Sequence, residues 1–581
     1  MKRIYCIAML GWCAIASIAA GQDFERYRPL PVEPPPFSPN IPERPLAPAT
    51  GSDEVLVDRL DAVIVWDHPD RVQPNEAFAD AEGVVRRFAA GDSLVHSGRF
   101  AATVEPYIGR PITLRNLNQM SRDIILLYRS AGQPVVDVII PEQKITGGTV
   151  QIVITEARVG RVLVQGGCWT DPHRQVHKVE CTRRGGRLTE SGLAADLYRL
   201  NDYPWRRYGV DLEPGDAAGT TDVIFEVDEV FPMRSYMGYD DTGVPNLLLE
   251  RLFVGATVGD LFGLDSMISY QATTDADFHH LNAHSVFYQI PLCDWWSFEA
   301  YGSWAGVDPI VDIGLDQEGE SWQAGFAFNH QLVKTPYEES KLSLGFDFKS
   351  TNTNVEFGGE QVFNSFAELV SLRLGYELWK RCSCGEYFHM RNDLYVGPGP
   401  QFSPSNTSAA FSTIRPDTSP DFIYDRIFME RLWHLPHCWQ LLARGTGQVT
   451  NERLLWSETL GFGGYDSVRG YDQRTRNGDC GWIVQMELGP QPYQWTNRCR
   501  QHQFRWFGFV DMGDAYILHP QAGEDAQQFM VSTGVGFRYA ISNRLSLRFD
   551  YGYGFREIET TPPSGHQRVH LGLVALFGPQ P

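Results

Sequence analysis

From about residue 230 onward the chain alternates apolar and polar positions in stretches about ten residues long, the length of a tilted membrane strand. Leu342, Leu344, Phe346 and Phe348 interleave with Lys341, Ser343, Gly345, Asp347 and Lys349. Leu545, Leu547, Phe549, Tyr551, Tyr553 and Phe555 interleave with Arg544, Ser546, Arg548, Asp550, Gly552 and Gly554. Successive side chains of a strand point to opposite faces, so each stretch is a strand with one oily and one charged face. A soluble sandwich would cover the oily face with a second sheet. A membrane barrel covers it with lipid and turns the polar face toward a wet lumen.

The alternation predicts an all-β transmembrane barrel over 230–581, with sixteen antiparallel strands starting near 231, 249, 264, 281, 295, 320, 341, 365, 386, 421, 438, 480, 503, 527, 544 and 567. An even count fits bacterial single-chain barrels. With the first strand rising from the periplasm, connections after even strands are periplasmic and short. The three longest connections, 306–319, 398–420 and 450–479, all follow odd strands. In the final stretch Val569, Leu571, Leu573, Ala575 and Phe577 share one face, similar to the closing strand of outer-membrane barrels.

Upstream the period changes. Residues 55–156 read as a small α/β unit in the order β-α-α-β-β. Its strands are Leu60–Trp66, Val135–Ile140 and Thr149–Thr155, with a charged insert over 69–95 and a helix over Phe100–Ile108. A second helix is capped by Thr113, carries the stripe Leu114, Leu117, Met120, Ile124 and Leu127, and stops at Gly132. The order recurs over 157–229, with strands Val159–Val164, Tyr208–Leu212 and Thr221–Val227 and a helix after Thr189. Residues 21–54 hold nine prolines, from Pro29 to Pro48, and read as an extended linker.

Composition narrows the setting. Lys2 and Arg3, the apolar run Ile4–Ile18 and the small residues Ser17, Ala19, Ala20 and Gly21 read as a cleaved export signal over 1–20. A net charge of −21 argues against a nucleic-acid partner. Aromatic content of 12% together with 55 Gly suits many strands with aromatic girdles. Export brings the remaining cysteines into an oxidising space. Cys168 and Cys181 bracket one loop and are a possible disulfide. Cys293, Cys382, Cys384, Cys438 and Cys499 all fall in predicted periplasmic turns, where Cys382 and Cys384 stand too close to be a good isolated disulfide. There is no HExxH, GxSxG or Walker motif, and no zinc spacing, so no enzyme, cofactor or metal is expected.

Three segments resemble the two-partner secretion transporters, the haemolysin secretion/activation family, within the superfamily of barrels bearing polypeptide-transport-associated (POTRA) domains. Tyr107–Ala157 resembles the family's first POTRA domain, including Tyr128, Gly132, Pro141 and Gln143. Arg199–Glu229 is similar to the second. Gly463–Asp472, with Val468, Arg469, Gly470 and Tyr471, resembles the long outer loop that folds back into the lumen. In the family that Arg pairs with an Asp on a lumen-facing strand. The matching stretch holds Phe509, Asp511 and Gly513, and period 2 puts Asp511 inside.

The resemblance implies two POTRA domains, 55–156 and 157–229, in the periplasm and a barrel in the outer membrane. It implies an unfolded secreted exoprotein as partner, large and β-helical like an adhesin or haemolysin, caught around Tyr128, Gly132, Pro141 and Gln143. The transporter is expected to be a monomer in lipid. The alternative is a factor that inserts other barrels into the membrane. Family members usually carry an N-terminal plug helix, and none is evident between Gln22 and Tyr27.

Overall fold

The computed structural model describes residues 27–579, apart from 33, 35–38, 43–44, 47, 79, 89–90, 92, 146, 245–246, 311–314, 358–359, 499 and 559–563. The expected export signal and Cys499 lie outside the described residues. No helix among the described residues is long and apolar enough to cross a membrane. Two compact units divide the chain: residues 37–229, and the barrel of 230–581 together with residues up to 36.

The first unit holds two α/β modules. In the first, β2 (Ala62–Trp66) and β6 (Thr149–Glu156) pair parallel at the centre, flanked by β3 (Gly83–Arg87) and β5 (Val136–Ile139). A short pair, β1 (Val55–Val57) with β4 (Ile112–Thr113), lies beside this sheet. Thr113 caps the Leu114–Ser130 helix, its Oγ1 accepting from Asn116 N at 3.2 Å. Leu117, Met120, Ile124 and Leu127 are buried against the sheet, whereas Leu114 at the first turn is exposed. β3 is a correction to the expected charged insert: Val84 and Val85 give it a strand's core contacts. The insert also covers the sheet's second face, with Phe78 edge-on to Trp66.

In the second module β9 (Thr220–Glu229) runs between β7 (Arg158–Gly166) and β8 (Arg206–Pro214). Thr189 caps the Glu190–Leu200 helix. The proline-rich stretch is not a free spacer along its whole length. Ile41 packs on the second module's core, and Thr50 O accepts from Asn118 Nδ2 at 2.5 Å.

The barrel closes with sixteen antiparallel strands. They are β10 (Met233–Asp240), β11 (Arg251–Gly259), β12 (Met267–Asp275), β13 (Leu281–Cys293), β14 (Trp296–Val307), β15 (Leu315–Lys334), β16 (Glu338–Phe357), β17 (Glu360–Arg381), β18 (Tyr387–Pro398), β19 (Asp421–Leu435) and β20 (Trp439–Thr450). The twelfth is broken into β23 (Cys480–Pro490) and β24 (Tyr493–Asn497), both paired with β25 (Arg500–Tyr516). The break falls at Pro490 and Pro492, which have no N–H for a ladder. β26 (Gln527–Ile541), β27 (Leu545–Gly554) and β28 (Arg568–Phe577) complete the wall, and β28 pairs with β10 from Ser235↔Phe577 to Asp240↔Gly572.

The faces are inverted relative to a soluble protein. On β16, Leu342 and Leu344 are exposed, whereas Ser343, Asp347 and Lys349 are buried. On β25, Trp506 and Val510 point out while Arg505, Phe509 and Asp511 point in. A wall of this strand number encloses a lumen too wide for its own side chains to fill, and chain inside the barrel covers Lys349 through Glu458 and Asp511 through Arg469. Most connections after even strands are short, such as 294–295, 335–337 and 436–438. Two outer connections depart from expectation. The one expected over 306–319 spans only 308–314, since β15 starts at Leu315. β16 and β17 run on for 20 and 22 residues, leaving only 358–359 between them.

Candidate functional site: the lumen and its inserted loop

The connection after β20 folds inward as a hairpin, β21 (Leu460–Phe462) with β22 (Arg476–Gly478). Its tip carries Val468, Arg469, Gly470 and Tyr471, of which Val468, Arg469 and Tyr471 are fully buried. Arg469 lies against Asp511: Nε donates to Oδ2 at 2.7 Å, Nη2 to Oδ1 at 2.9 Å, and the Arg469 backbone N to Oδ2 at 3.1 Å. This is the bidentate fork a guanidinium makes with a carboxylate. Nη1 donates to Glu487 Oε1 at 2.9 Å and to Asp550 Oδ1 at 3.2 Å. The Phe509 ring sits 3.6 Å from the guanidinium carbon, a cation–π contact. One guanidinium thus ties the loop to β23, β25 and β27.

Glycines let the loop backbone reach the wall. Gly470 has φ +102°, and a Cβ there would meet Gly554 N at 2.8 Å and Tyr553 C at 3.0 Å. A Cβ on Gly552 would meet Gly470 N at 2.5 Å. Gly513 serves the hairpin instead: a Cβ on it would meet the Phe462 ring at 3.0 Å.

The base of the loop is held as firmly. Asp479, fully buried, takes both Nη1 (2.6 Å) and Nη2 (3.1 Å) of Arg415 from the connection after β18. Its carboxylate also accepts from Leu454 N at 3.0 Å and Leu518 N at 2.9 Å. Glu458 pairs with Lys349 of β16 at 2.6 Å and accepts from the Tyr424 hydroxyl at 2.7 Å. The loop therefore spans the lumen from the β16 side to the β27 side.

A family model for the haemolysin secretion/activation protein ShlB/FhaC/HecB matches residues 219–539. The chain belongs to this family. A ShlB-type POTRA domain model matches 86–157. The heme/hemopexin transporter protein HuxB of Haemophilus influenzae (strain 86-028NP) is 22% identical over 408 residues, covering 68% of this chain and 69% of HuxB. The outer membrane transporter CdiB of Dickeya dadantii (strain 3937) is 19% identical, covering 67% and 68%. The solved structure of CdiB from Escherichia coli superposes with a TM-score of 0.61 at 16% identity, over 92% of this chain and 93% of that one. The chain is an outer-membrane transporter of the two-partner secretion type, working with a secreted exoprotein. Its family is one of transporters.

In the transporter a second segment lines the lumen wall that the loop leaves. The Tyr27 carbonyl accepts from Ser285 Oγ and from Gln271 Nε2, the latter at 3.2 Å. Leu30 N donates to the Tyr236 hydroxyl at 2.9 Å, and Arg234 Nη2 donates to Pro31 O at 2.7 Å. Arg28 stands 4.5 Å over the Phe287 ring. Tyr236, Gln271 and Ser285 all face inward. The proline-rich signature hid this: the inserted part already holds the first two prolines, Pro29 and Pro31.

The residues resembling the POTRA core are structural. Tyr128 is fully buried, and burial pushes its phenol well above the usual tyrosine range. Its hydroxyl donates to Glu156 at 3.0 Å. Gly132, at φ +78°, ends the helix, and its carbonyl accepts from Glu190 N at 2.8 Å. The Gln143 side chain acts as a strand partner to β6, donating to Gln151 O at 2.7 Å and accepting from Gln151 N at 2.8 Å, while it also donates to Pro141 O at 3.1 Å. Asn201 does the same for β8, accepting from Tyr208 N at 2.9 Å and donating to Tyr208 O at 3.1 Å. In the second module Asp222 accepts from the Arg161 backbone N at 2.7 Å and from its guanidinium at 2.6 and 2.8 Å. These bonds hold the Asp222 carboxyl below its ordinary range.

Two cysteine expectations are corrected. Cys168 and Cys181 are separate, exposed free thiols. Cys168 is instead drawn toward β9, its backbone N donating to Glu229 Oε2 at 2.8 Å. Cys382 and Cys384, set aside as too close, are joined. Their Cα atoms are 5.2 Å apart, a separation a tight turn supplies and an extended backbone does not.

Proposed function

We propose that the arm of two α/β modules, read as two POTRA domains over 55–156 and 157–229, catches an unfolded exoprotein in the periplasm. The barrel then conducts it outward as the loop tip swings off its wall. The observation that carries this reading is a closed barrel whose polar lumen is filled by chain held through reversible contacts. Arg469 and its three carboxylates form an anchor that opens without breaking a covalent bond.

Capture is assigned to open sheet edges, since an edge takes an extended chain through backbone bonds and so tolerates varied sequence. Gln143 and Asn201 close parts of two edges with their own amides. β8 beyond Tyr208, from Val210 to Pro214, keeps an outer edge that no strand pairs among the described residues. Client addition is placed there, and Tyr128, Gly132, Pro141 and Gln143 support the fold of the arm. With no nucleotide at that membrane, net direction comes from the client folding outside. Such a client is a large β-helical protein that gains its core only when complete. The transporter works as a monomer in lipid.

Deleting the gene and comparing medium with membrane tests the reading. Loss of one exoprotein from the medium, with other barrels intact, is the expected result. A general loss of outer-membrane barrels would mean the assembly-factor alternative.

A further inference from the structure

The turn between β17 and β18 carries the Cys382–Cys384 bond. It follows an even strand, so it lies at the barrel end where β10 begins, the periplasmic mouth through which a client enters. Both cysteines and the intervening Ser383 are exposed.

This bond is not needed as a staple. Stabilisation by a cross-link grows with the length of the loop it closes, and this loop is a single intervening residue. β17 and β18 are already laddered from Leu372↔Val396 to Arg381↔Tyr387. The turn is closed by its own backbone, with Cys382 N donating to Glu386 O at 3.0 Å and Gly385 N to Cys382 O at 3.1 Å. Cys293 and Cys438, exposed in two other periplasmic turns, are free, so the pairing belongs to this turn rather than to the rim in general. An exposed disulfide that carries little of the fold is of the labile, exchanging kind. One further contact gives the pair a direction. Cys384 N donates to Cys382 Sγ at 3.1 Å. An N–H aimed at sulfur favours its thiolate form, which marks Cys382 as the better leaving group.

We propose that Cys382 and Cys384 form a thiol–disulfide exchange site whose substrates are cysteine thiols of polypeptides at the periplasmic mouth. A substrate thiolate attacks Cys384 Sγ. The Cys382–Cys384 bond breaks, and Cys382 leaves as a thiolate and is protonated. A second substrate thiolate then attacks the substrate sulfur of the mixed disulfide, and Cys384 leaves and is protonated in turn. Two electrons and two protons have moved from the substrate's cysteine pair to the rim pair, and the substrate carries one new disulfide. The reverse course opens a substrate disulfide, which matters for a chain that must be threaded extended. The redox poise of the compartment sets the direction.

The full-length protein in detergent, equilibrated with reduced and oxidised glutathione, tests this by mass spectrometry of the peptide holding both cysteines. The wild type is expected to cycle reversibly between dithiol and disulfide without accumulating a glutathione adduct. Cys384→Ser is expected to hold a stable adduct on Cys382, formed faster than the one on Cys384 in Cys382→Ser. A synthetic unfolded peptide with two cysteines should leave the oxidised wild type as its disulfide, and this transfer should be lost in both variants. A heat-dependent gel shift verifies that each variant is a folded barrel. In cells, an adduct of Cys382→Ser, held on Cys384, with another polypeptide supports the proposal, and adducts with small thiols alone overturn it. A pair that stays oxidised in dithiothreitol overturns it as well. Glu386 has a ligand oxygen within 4.8 Å of both sulfurs, which provides a third contrary outcome. A reduced pair that binds added zinc and reacts with oxidised glutathione only after chelation would be a metal site instead.

Discussion

Arg469 faces three carboxylates, and that number decides what its replacement does. Removing one partner of a buried pair leaves the other charge unpaired and costs about 3–5 kcal/mol. Arg469→Ala strands Asp511, while Glu487 keeps Arg444 and Arg505 and Asp550 keeps Arg538. Because it also removes every contact of the guanidinium to β23, β25 and β27 at once, it is expected to release the loop more completely than Asp511→Asn. Arg469→Lys keeps the charge and loses the fork, and should fall between the two. Protease cleavage within 463–475 of the purified barrel reads the order. The Arg469–Asp511 contact was legible because the family resemblance pairs the Arg of the loop motif with the Asp of the strand motif, and period 2 turned Asp511 inward. Glu487 and Asp550 were not, since only the register of β23, β25 and β27 brings them to the same guanidinium. Asp222 makes a second test at this scale. Its carboxyl is held low, so it stabilises the fold above the pH at which it titrates in the unfolded chain. That stabilisation is lost as the pH falls through its folded value. Asp222→Asn should therefore lower the stability of residues 37–229 to urea at neutral pH, and the gap from wild type should close in acid. A gap independent of pH would remove the charge from the explanation.

Elements were read best where one face is covered by lipid. Fourteen of the sixteen strand starts lie within three residues of the alternation's prediction, and β15 and β17 start five residues earlier than expected. The agreement holds because a one-residue slip would put charge into the membrane. The height of β15, β16 and β17 escaped, since lipid does not constrain a strand above the membrane. β3 escaped because a parallel edge strand needs only a few residues and was masked by its charged neighbours. The corrected cysteines belong here too, for pairing depends on turn geometry that spacing does not encode. The loop hairpin gives the prediction for this scale. Gly470→Ala places a Cβ against the backbone of β27 at a φ that an L side chain rarely adopts, at a cost of about 1–3 kcal/mol. Faster hydrogen exchange over 463–475 with an unchanged barrel is expected. Exchange as slow as wild type would mean that the tip does not depend on that close approach.

At the scale of the molecule the lumen is shared between two fillings with different holds. Residues 27–31 are held mainly by hydrogen bonds to neutral side chains, with Arg28 and Arg234 as the charged exceptions. The 451–479 loop is held by a network of buried charges. Deleting residues 22–31 should raise conductance in planar bilayers while the loop stays protected from protease. Adding Arg469→Ala to the deletion should raise it further. The barrel and the arm were legible in the sequence; the first filling was not, because it already contains the first prolines of the proline-rich run. The central claim is that the client passes through the inside of this wall. A photo-crosslinking residue placed at Ser371, buried and facing inward, or at Leu344, exposed on the outer face, tests it during secretion. Crosslinks to the exoprotein from Ser371 and none from Leu344 are the predicted result. Crosslinks from Leu344 with none from Ser371 would contradict it.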